Sequence, residues 1–463
     1  MRMPLLVTLA LCWSLPVMGD ELTSASVPAS QSTELIHSEI ELPRTQSFVN
    51  RDGLEWLDQP PLAYTPVVPN LRPNSGPTFR LRGRIDADAI GVNQSDSNKA
   101  AIGDVSDVVG LRRARIGAEG KFSSNSRYVA EIDLASRQVI MKDVFAGFGD
   151  LERTGEFKWG HMREPFSLEG GTSANTFAFT ERSPSSVLDP ARNWGIGYAR
   201  YVPDEDYTYA FGLFKSGADP NDFGVGNGSD SAATAKWTRL LWYEDDGKSL
   251  MHVGMAASSR FPDNQFLVIN QRPRSSVLDL GDSSSESPFV SKIRIPATFE
   301  QRFNAQWASV SGPFWIQAEW NGSLIDQRDG PCLFYHGGYL AAGHFIAGGS
   351  RSYQKQNGIF GPVTVTRPLL DGFSSQAGSK WRGHGAWELT ARLSYLDLFD
   401  SNTPNSSRGQ PVGAMLPQAT IGINWYLADR LRIMFNFYHD VIDEPNVGVS
   451  TANLFTSRLA MFW

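Results

Sequence analysis

The chain has 463 residues but only two cysteines, Cys12 and Cys332. Cys12 lies in an apolar N-terminal stretch that we expect to be removed, so one cysteine would remain. A disulfide framework, a Cys-x-x-Cys redox motif and a cysteine metal site all need more than one thiol. The sequence therefore excludes these three kinds of site.

Long apolar runs are also missing. A helix that spans a bilayer needs about 20 mainly apolar residues, and only the N-terminus approaches such a run. The mean hydropathy is -0.27. An inner-membrane transporter built from helices is therefore excluded.

Lysine is scarce beside arginine, with 10 lysines against 32 arginines, and the net charge is -7 at pH 7. The negative charge argues against a general nucleic-acid-binding protein, so we expect no nucleic-acid partner. Arginine is the side chain suited to bidentate contact with phosphate and carboxylate groups. Genomic base composition explains the ratio equally well, so both interpretations remain open.

Catalytic motifs are absent. The seven histidines show neither a metal-binding spacing nor a triad, and the sequence has no GxSxG, HExxH or P-loop motif. A barrel enzyme such as a membrane esterase or protease would need a nucleophile and a base within reach of each other. We therefore predict no catalytic residue, no metal site and no cofactor.

The N-terminus is typical of a secretory signal peptide. Arg2 supplies a positive charge and an apolar stretch runs from Leu5 to Val17. The following segment is rich in serine, proline and acidic residues, without a strong period. We predict three regions: a signal peptide at 1–19, a mostly flexible periplasmic extension at 20–78 and a folded body at 79–463.

The folded body begins with an alternating segment, Phe79 to Ala89. Its odd positions are apolar or glycine, and its even positions carry charge: Arg80, Arg82, Arg84, Asp86 and Asp88. A period of two with one charged face predicts a strand that separates two very different solvents. Such segments run for ten residues or more, which is long enough to cross a bilayer at a tilt.

Sixteen segments of this kind follow one another. Their predicted starts lie near 79, 109, 126, 139, 153, 193, 206, 236, 249, 301, 313, 332, 384, 417, 430 and 454. Several connections after even strands are short, and several after odd strands are long: about 92–108, 164–192, 215–235, 260–300, 399–416 and 441–453. This alternation predicts an all-β fold, an antiparallel transmembrane β-barrel of about 16 strands.

One connection breaks the rule. Residues 349–383 follow an even strand but form a long segment. We predict that this segment folds into the barrel or packs beneath it.

A barrel of ~16 strands is too wide for its side chains to fill, so its interior is aqueous. The charged face must then line the lumen, and the apolar face must contact lipid. Arginines in the lumen favour anions and repel small cations. The wall candidates for an anion path are Arg80, Arg82, Arg84, Arg113 and Arg115. For each of them, the alternative is a solvated wall residue without a ligand.

Three separated blocks of sequence resemble the phosphate-selective porin O and P family. The first reads FKWGHMREPFSLEGGTSANTFAFTERSPSSVLDPARNWGIG at 157–197. The others read GAWELTARLSYLDL at 385–398 and IGINWYL at 421–427. The blocks occur in order, and the resemblance covers about 79–463.

The resemblance implies a trimer of sixteen-stranded outer-membrane barrels, each with an arginine-lined path and a narrow phosphate-binding zone. In this family the third and fifth outer loops and one periplasmic turn fold inward as constriction loops. We map the two loops to 164–192 and 260–300, and the turn to 349–383. The implied partners are outer-membrane lipid, phosphate-like inorganic anions and two further copies of the chain.

Site residues carry over only where the motifs match. The constriction candidates are Arg163, Ser167, Arg182 and Arg192. Glu164 and Glu181 could instead pair with the neighbouring arginines and hold the loop rigid. The inward-turn candidates are Arg351, Lys355, Arg367, Lys380 and Arg382.

The sequence also departs from the family. Glu169-Gly170 stands where a Glu-Glu pair is often expected, and the chain ends in Trp463 rather than phenylalanine. The leading hypothesis is a passive channel for anions, with phosphate or a polyphosphate preferred. A weakly selective diffusion porin and a secreted β-rich binding protein are the alternatives.

Overall fold

The computed structural model describes residues 76–135, 139–216, 230–262, 266–269, 293–370, 383–405 and 412–463. Within them, sixteen strands form one closed antiparallel barrel, as the sequence predicts. The predicted signal peptide and residues 20–75 of the predicted extension lie outside the described residues. No helix in the described ranges has the length and apolar character needed to cross a membrane.

Strands are numbered in chain order, and four of the numbers belong to two short hairpins that are not part of the barrel wall. The wall strands, in ring order, are β1 (Arg80–Gln94), β2 (Val108–Ser123), β3 (Ser126–Asp133), β4 (Ile140–Asp150), β5 (Gly155–Arg163), β6 (Arg192–Val202), β7 (Tyr207–Lys215), β8 (Ser231–Glu244), β9 (Ser249–Phe261), β12 (Ala297–Ser311), β13 (Phe314–Gln327), β14 (Leu333–Ala347), β17 (Ala386–Asp397), β18 (Gln418–Ala428), β19 (Leu431–Glu444) and β20 (Gly448–Phe462).

The remaining elements lie in the connections. The two hairpins pair β10 (Leu267–Ile269) with β11 (Ile293–Ile295), and β15 (Gly349–Gln354) with β16 (Ile359–Val365). A short helix α1 (Asp96–Ile102) follows β1, and a single turn α2 (Leu168–Gly171) follows β5.

The alternation seen in the sequence sets the two faces of the wall. On β1, Leu81 and Ile85 are exposed on the outside, whereas Arg84, Asp86 and Asp88 are buried on the inside. Apolar side chains cover the outer face of the other strands in the same way. On β17 and β18, for example, Trp387 and Trp425 stack with their ring centroids 4.9 Å apart.

Most turns follow the prediction, but one does not. The predicted long connection at 441–453 is wrong, because β19 continues to Glu444 and β20 begins at Gly448. The two strands stay in register through this region, with Val441 opposite Thr451. Gly448 has a φ of +73°, a conformation that favours glycine and permits the tight turn.

The barrel closes where β1 pairs with β20. Gly83 and Trp463 exchange two backbone hydrogen bonds of 3.1 Å. The Trp463 ring lies over Gly83, and its nearest atom is 2.1 Å from the point where a β-carbon would stand. A side chain at position 83 would therefore displace the terminal tryptophan.

Two apolar clusters fill much of the interior. The outer cluster lies at the long-loop end and packs wall residues such as Ile90, Tyr335 and Leu454 against loop residues such as Leu188 and Ile293. The inner cluster lies at the short-turn end and packs the β15–β16 hairpin against β8, β9 and β12–β14.

The β15–β16 hairpin crosses the short-turn end of the barrel, and we call it the cross-hairpin. It leaves the wall between β14 and β17, the twelfth and thirteenth strands of the ring. Its tip reaches the turn after β6, the sixth, where Lys355 Nζ lies 2.9 Å from Asp206 Oδ1. Along the way, the Tyr353 hydroxyl and His252 Nδ1 form a hydrogen bond of 2.6 Å. The described part of this long connection, residues 349–370, folds inward as predicted.

Candidate anion pathway

The loop between β5 and β6, residues 164–191, lies inside the barrel and is held there by the wall. We call it the constriction loop. The backbone N–H groups of Leu168 and Glu169 donate to the two carboxylate oxygens of Glu319 on β13, at 2.8 and 2.5 Å. From the other side, Arg392 donates to the Glu181 carbonyl and Arg432 to the Phe177 carbonyl. These bonds to buried wall side chains fix the path of the loop.

The constriction loop and the cross-hairpin leave a cavity of about 600 Å³ beside β1–β7. Ten basic side chains line it: Arg80, Arg82, Arg84, Arg113, Arg115, Lys158, Arg163, Arg182, Arg192 and Arg430. Three acidic side chains join them: Glu119, Glu131 and Asp143. The structure thus brings together eight of the nine predicted path residues. The excess of basic groups makes this cavity attractive to anions.

The arginines of β1 and β2 alternate with carboxylates that they share. Glu119 binds Arg80 at 2.6 Å and Arg82 at 2.9 Å. Glu131 binds Arg82 at 3.1 Å and Arg115 at 3.3 Å. Sharing a carboxylate holds each guanidinium in place and neutralises part of its charge.

Deeper in the wall the pairing is more complete. Asp86 binds Arg84 at 2.7 Å and Arg113 at 2.8 Å, and all three side chains are buried. Asp143 binds Arg192 through two bonds of 3.1 and 2.8 Å. These arginines therefore have their main partners within the protein.

Arg163 and Arg182 are half-buried and differ from the other non-exposed arginines of the cavity, because no carboxylate of the described residues lies within 4.0 Å of either one. Arg163 donates one long hydrogen bond, 3.5 Å, to the Pro190 carbonyl. Arg182 donates to the carbonyls of Glu169 and Gly170 at 3.3 Å and stacks on Phe177. Both guanidinium groups keep donor capacity for a ligand.

The charge on Arg182 is balanced by carboxylates that lie beyond 4.0 Å, with Glu169 the largest contributor. Burial lowers the pKa of its guanidinium, Glu169 opposes the shift, and Arg192 adds to it. An anion in the cavity would relieve this repulsion between arginines.

The sequence left open whether Glu164 and Glu181 pair with these arginines, and they do not. Glu164 binds Arg260 at 3.0 Å, and Glu181 binds Arg112 at 2.6 Å and Arg458 at 3.0 Å. Neighbouring residues in an extended chain point to opposite sides, so Glu164 turns away from Arg163. Each acid therefore finds its cation on a different strand.

Ser167 does not line the cavity, which corrects its place in the predicted constriction. Its hydroxyl accepts a hydrogen bond from the N–H of Gly170 at 2.8 Å and donates to Asp189 Oδ2 at 2.5 Å. It is therefore the N-cap of α2. Burial raises the pKa of the Asp189 carboxyl to about 7, Glu319 adds to the rise, and the Ser167 hydrogen bond opposes it.

The described basic residues of the predicted inward turn, Arg351, Lys355 and Arg367, do not line the cavity. Arg351 is buried against aromatic rings, Lys355 pairs with Asp206, and Arg367 is exposed. Lys380 and Arg382 lie outside the described residues. The length of the connection predicted its inward fold, but length carries no information on the direction of individual side chains.

Sequence reasoning missed several lining residues. Lys158 follows the alternation of β5 together with Glu156, so a signal for it was present. Asp143 and Arg430 had no comparable signal. Asp143 pairs with Arg192 only through the folded structure, and Arg430 lies in a turn, where strand alternation does not apply. In the part of the chain that the structure describes, no cluster of three or more histidine, cysteine or acidic residues is arranged to hold a metal ion.

Comparisons with known proteins agree with the fold. The family model described as phosphate-selective porin O and P matches residues 79–459. An uncharacterized protein of Caulobacter vibrioides is 25% identical over 377 residues, covering 78% of this chain and 68% of that protein.

Two solved structures of OmpT, an outer membrane protein of Vibrio cholerae, superpose with a TM-score of 0.50. The loop L8 deletion mutant is 12% identical and the outer-membrane expressed form 11%. Each match covers 84% of this chain, and 100% and 98% of the respective OmpT chain. Identities this low show a shared barrel fold alone. The family match covers most of the chain, and the protein therefore belongs to the phosphate-selective porin O and P family, as an outer-membrane β-barrel channel for passive diffusion.

Proposed function

We propose that this channel conducts anions and binds a phosphate-like oxyanion beside Arg163 and Arg182. The observation that carries the proposal is the lack of a carboxylate partner for these two arginines among the described residues. Both side chains line the same cavity, together with Arg192. A tetrahedral oxyanion has several acceptor oxygens and can receive hydrogen bonds from more than one guanidinium.

The paired arginines of β1 and β2 have a different part in this proposal. These arginines already form ion pairs with Glu119 and Glu131, so they attract an anion along the wall without binding it tightly. A channel needs binding that is favourable enough for entry and weak enough for release. The weaker sites along β1 and β2 meet the second requirement.

A weakly selective diffusion porin is the second candidate. It is favoured by the carboxylates in the cavity, which neutralise much of the arginine charge. The two candidates differ in one measurable property, which is saturation or block by phosphate. The trimer, the signal peptide at 1–19 and the periplasmic extension at 20–78 stay predictions from the sequence.

The test is a planar-bilayer experiment on the purified channel. A chloride gradient gives the reversal potential, and millimolar phosphate is then added. We expect an anion-selective potential and a block of chloride current by phosphate. Absence of block, with a potential near zero, would favour the general diffusion porin.

The double variant Arg163→Gln with Arg182→Gln assigns the site. We expect the half-blocking phosphate concentration to rise about tenfold to a hundredfold, because two charge-assisted hydrogen bonds are lost. Arg367→Gln removes an exposed arginine that does not line the cavity and is the matched control. Equal phosphate block in the double variant and the wild type would remove Arg163 and Arg182 from the mechanism.

A further inference from the structure

The cavity of the anion pathway has a second, largely uncharged side. Most of its basic groups come from β1, β2, the constriction loop and the ends of β5 and β6. On the inner face of β4–β7 the lining changes to Phe145, Met162, Gly197, Ala199, Ala210 and Phe214. We call these six residues the apolar floor. A channel for inorganic ions alone does not require an apolar surface of this kind beside its arginines.

The floor follows from the alternation along β4–β7. Outward positions carry large apolar side chains that are exposed, such as Trp159, Ile196 and Phe211. The inward positions between them are mostly small: Gly160, Gly195, Gly197, Ala199, Ala210 and Gly212. Small inward residues leave room in the lumen along these strands.

The bulky residues of the floor lie over some of these glycines. One row across the four strands reads Phe145, Gly160, Gly195 and Phe214. A β-carbon on Gly195 would lie 2.5 Å from the Phe214 ring, and one on Gly212 would lie 2.8 Å from it. The ring therefore covers both glycines, and Phe145 and Met162 pack with it in one apolar cluster.

Gly197 marks the open part of the floor. The atoms nearest to its β-carbon position are the Met162 terminal methyl and the Phe211 carbonyl oxygen, both at 3.6 Å. This is an ordinary van der Waals distance, so the space above Gly197 can hold an atom of a ligand. The Met162 methyl borders the same space, although the whole residue is only 5% exposed.

The carboxylates near the floor are paired with cations. Glu156 on β5 binds Arg127 at 2.8 Å and Lys158 at 3.3 Å. The three acids that line the cavity also bind arginines: Glu119, Glu131 and Asp143. An anion at the floor therefore meets no carboxylate of the described lining that lacks a cation beside it.

The floor lies close to the arginines of the proposed oxyanion site. Arg163 and Arg192 oppose each other at the ends of β5 and β6. The row of Gly160 and Gly195 lies three residues further along both strands, about 10 Å away at the rise of a β-strand. The arginine side chains line the same cavity and shorten this gap for a ligand. A charged head at the arginines thus leaves a body about the size of a phenyl ring at the floor.

We infer that the cavity binds organic phosphates and phosphonates with a compact apolar body more tightly than inorganic phosphate. The head is held beside Arg163 and Arg182, so the inference rests on the proposed function, and the body lies against the apolar floor. Removing apolar surface from water on both partners supplies the additional affinity. The cavity volume of about 600 Å³ is typical of sites for small organic molecules, about 300–1,000 Å³.

The first test compares three ions that differ in their body and share a dianionic head at pH 8: inorganic phosphate, methyl phosphate and phenyl phosphate. Each is titrated against the chloride current of the wild-type channel in planar bilayers. We expect the half-blocking concentration of phenyl phosphate to be about tenfold lower than that of methyl phosphate. Equal values for the two esters overturn the inference.

A pair of methionine variants locates the body of the ligand. Met162→Gln keeps the length of the side chain but places an amide in the floor, and we expect it to reduce the advantage of phenyl phosphate to about threefold or less. Met141→Gln on β4 is the matched control, because Met141 is also 5% exposed but does not line the cavity. An unchanged advantage in Met162→Gln contradicts the placement of the body.

Crystals of the wild type soaked in 4-bromophenyl phosphate decide the placement if Met162→Gln does not fold. An anomalous bromine peak beside Met162 and Gly197 supports the inference, and a bound ion whose bromine lies away from the floor contradicts it.

The outcomes separate this inference from the proposed function. Inorganic and methyl phosphate report on the head site, so a lack of block by both counts against the proposed function. Block by both, without a gain from the phenyl ring, counts against the apolar floor alone.

Discussion

At the scale of single residues, the arginines of this lumen fall into two kinds. Arg82 and Arg115 hold shared carboxylates and act as a fixed, partly neutralised wall. Among the described residues, the hydrogen bonds of Arg163 and Arg182 go to backbone carbonyls. A mobile anion binds poorly to Arg82 and Arg115, because carboxylates already take their charge-assisted hydrogen bonds. It binds better to Arg163 and Arg182. The pairing of the arginines therefore matters more than their number.

Asp189 gives the site a pH dependence that can be measured. Its carboxyl has a pKa of about 7 and contributes to the field at Arg163. It is neutral below that pH and negative above it. We therefore expect the anion preference to fall as the pH rises from 6 to 8.

Reversal potentials in chloride gradients check this prediction, since chloride, unlike phosphate, does not titrate in this range. Asp189→Asn should keep the low-pH preference across the whole range. If Asp189→Asn shows the same dependence of anion preference on pH as the wild type, another group is responsible for it.

The sequence predicted which arginines face the lumen but not how they pair. The period of two was enough to place Arg80, Arg82 and Arg84 on one face. Pairing depends on cross-strand register, and β1 has an irregularity between Asp86 and Ala87 that shifts it against β2. A bulge of this kind leaves no clear signal in a single sequence.

At the scale of elements, the wall was far more predictable than its contents. Every strand follows the same alternation of apolar and polar residues, and each of the sixteen begins within six residues of its predicted start. The constriction loop has no such rule, because its path depends on contacts with distant wall residues such as Glu319 and Arg392. The cross-hairpin was indicated only by the length of its connection.

The tip of the cross-hairpin allows a matched test of its docking. Gly358 has a φ of +61°, and its β-carbon would lie 2.5 Å from the Thr238 hydroxyl. Gly312, in another short turn, has a φ of +57° and open space around the same position. Alanine at either site brings a similar backbone cost, about 1–2 kcal/mol, but only Gly358→Ala pushes the tip away from the wall.

We expect Gly358→Ala to give a larger and noisier single-channel conductance, and Gly312→Ala to conduct like the wild type. Single-channel recordings in planar bilayers measure both. Identical traces from the two variants would mean that the tip does not limit the width of the pore.

At the scale of the whole molecule, stability depends on closing the ring. Backbone hydrogen bonds between β1 and β20 leave no unpaired strand edge in the wall, which lipid could not satisfy. Gly83 is a critical point in this seam, because the Trp463 ring occupies the space of its absent side chain.

Gly83→Val should therefore weaken closure. The valine displaces Trp463, and we expect a loss of about 2–4 kcal/mol in the free energy of unfolding, by analogy with overpacking and lost aromatic contacts. Gly91→Val on the same strand is the control, since only Asp107 approaches its β-carbon position, at 3.9 Å.

Heat-modifiability on SDS gels and thermal midpoints compare the two variants. Gly91→Val should behave like the wild type, and Gly83→Val should unfold at a clearly lower temperature. Equal midpoints would show that Trp463 yields without cost.

The cross-hairpin separates two properties that a plain barrel ties together. In an empty cylinder, the number of strands sets both the perimeter in contact with lipid and the bore open to water. Here the hairpin and the inner apolar cluster occupy one side of the interior, and the cavity keeps to the side of β1–β7. Substitutions on the hairpin can therefore change the calibre and chemistry of the passage while the lipid-facing surface stays the same.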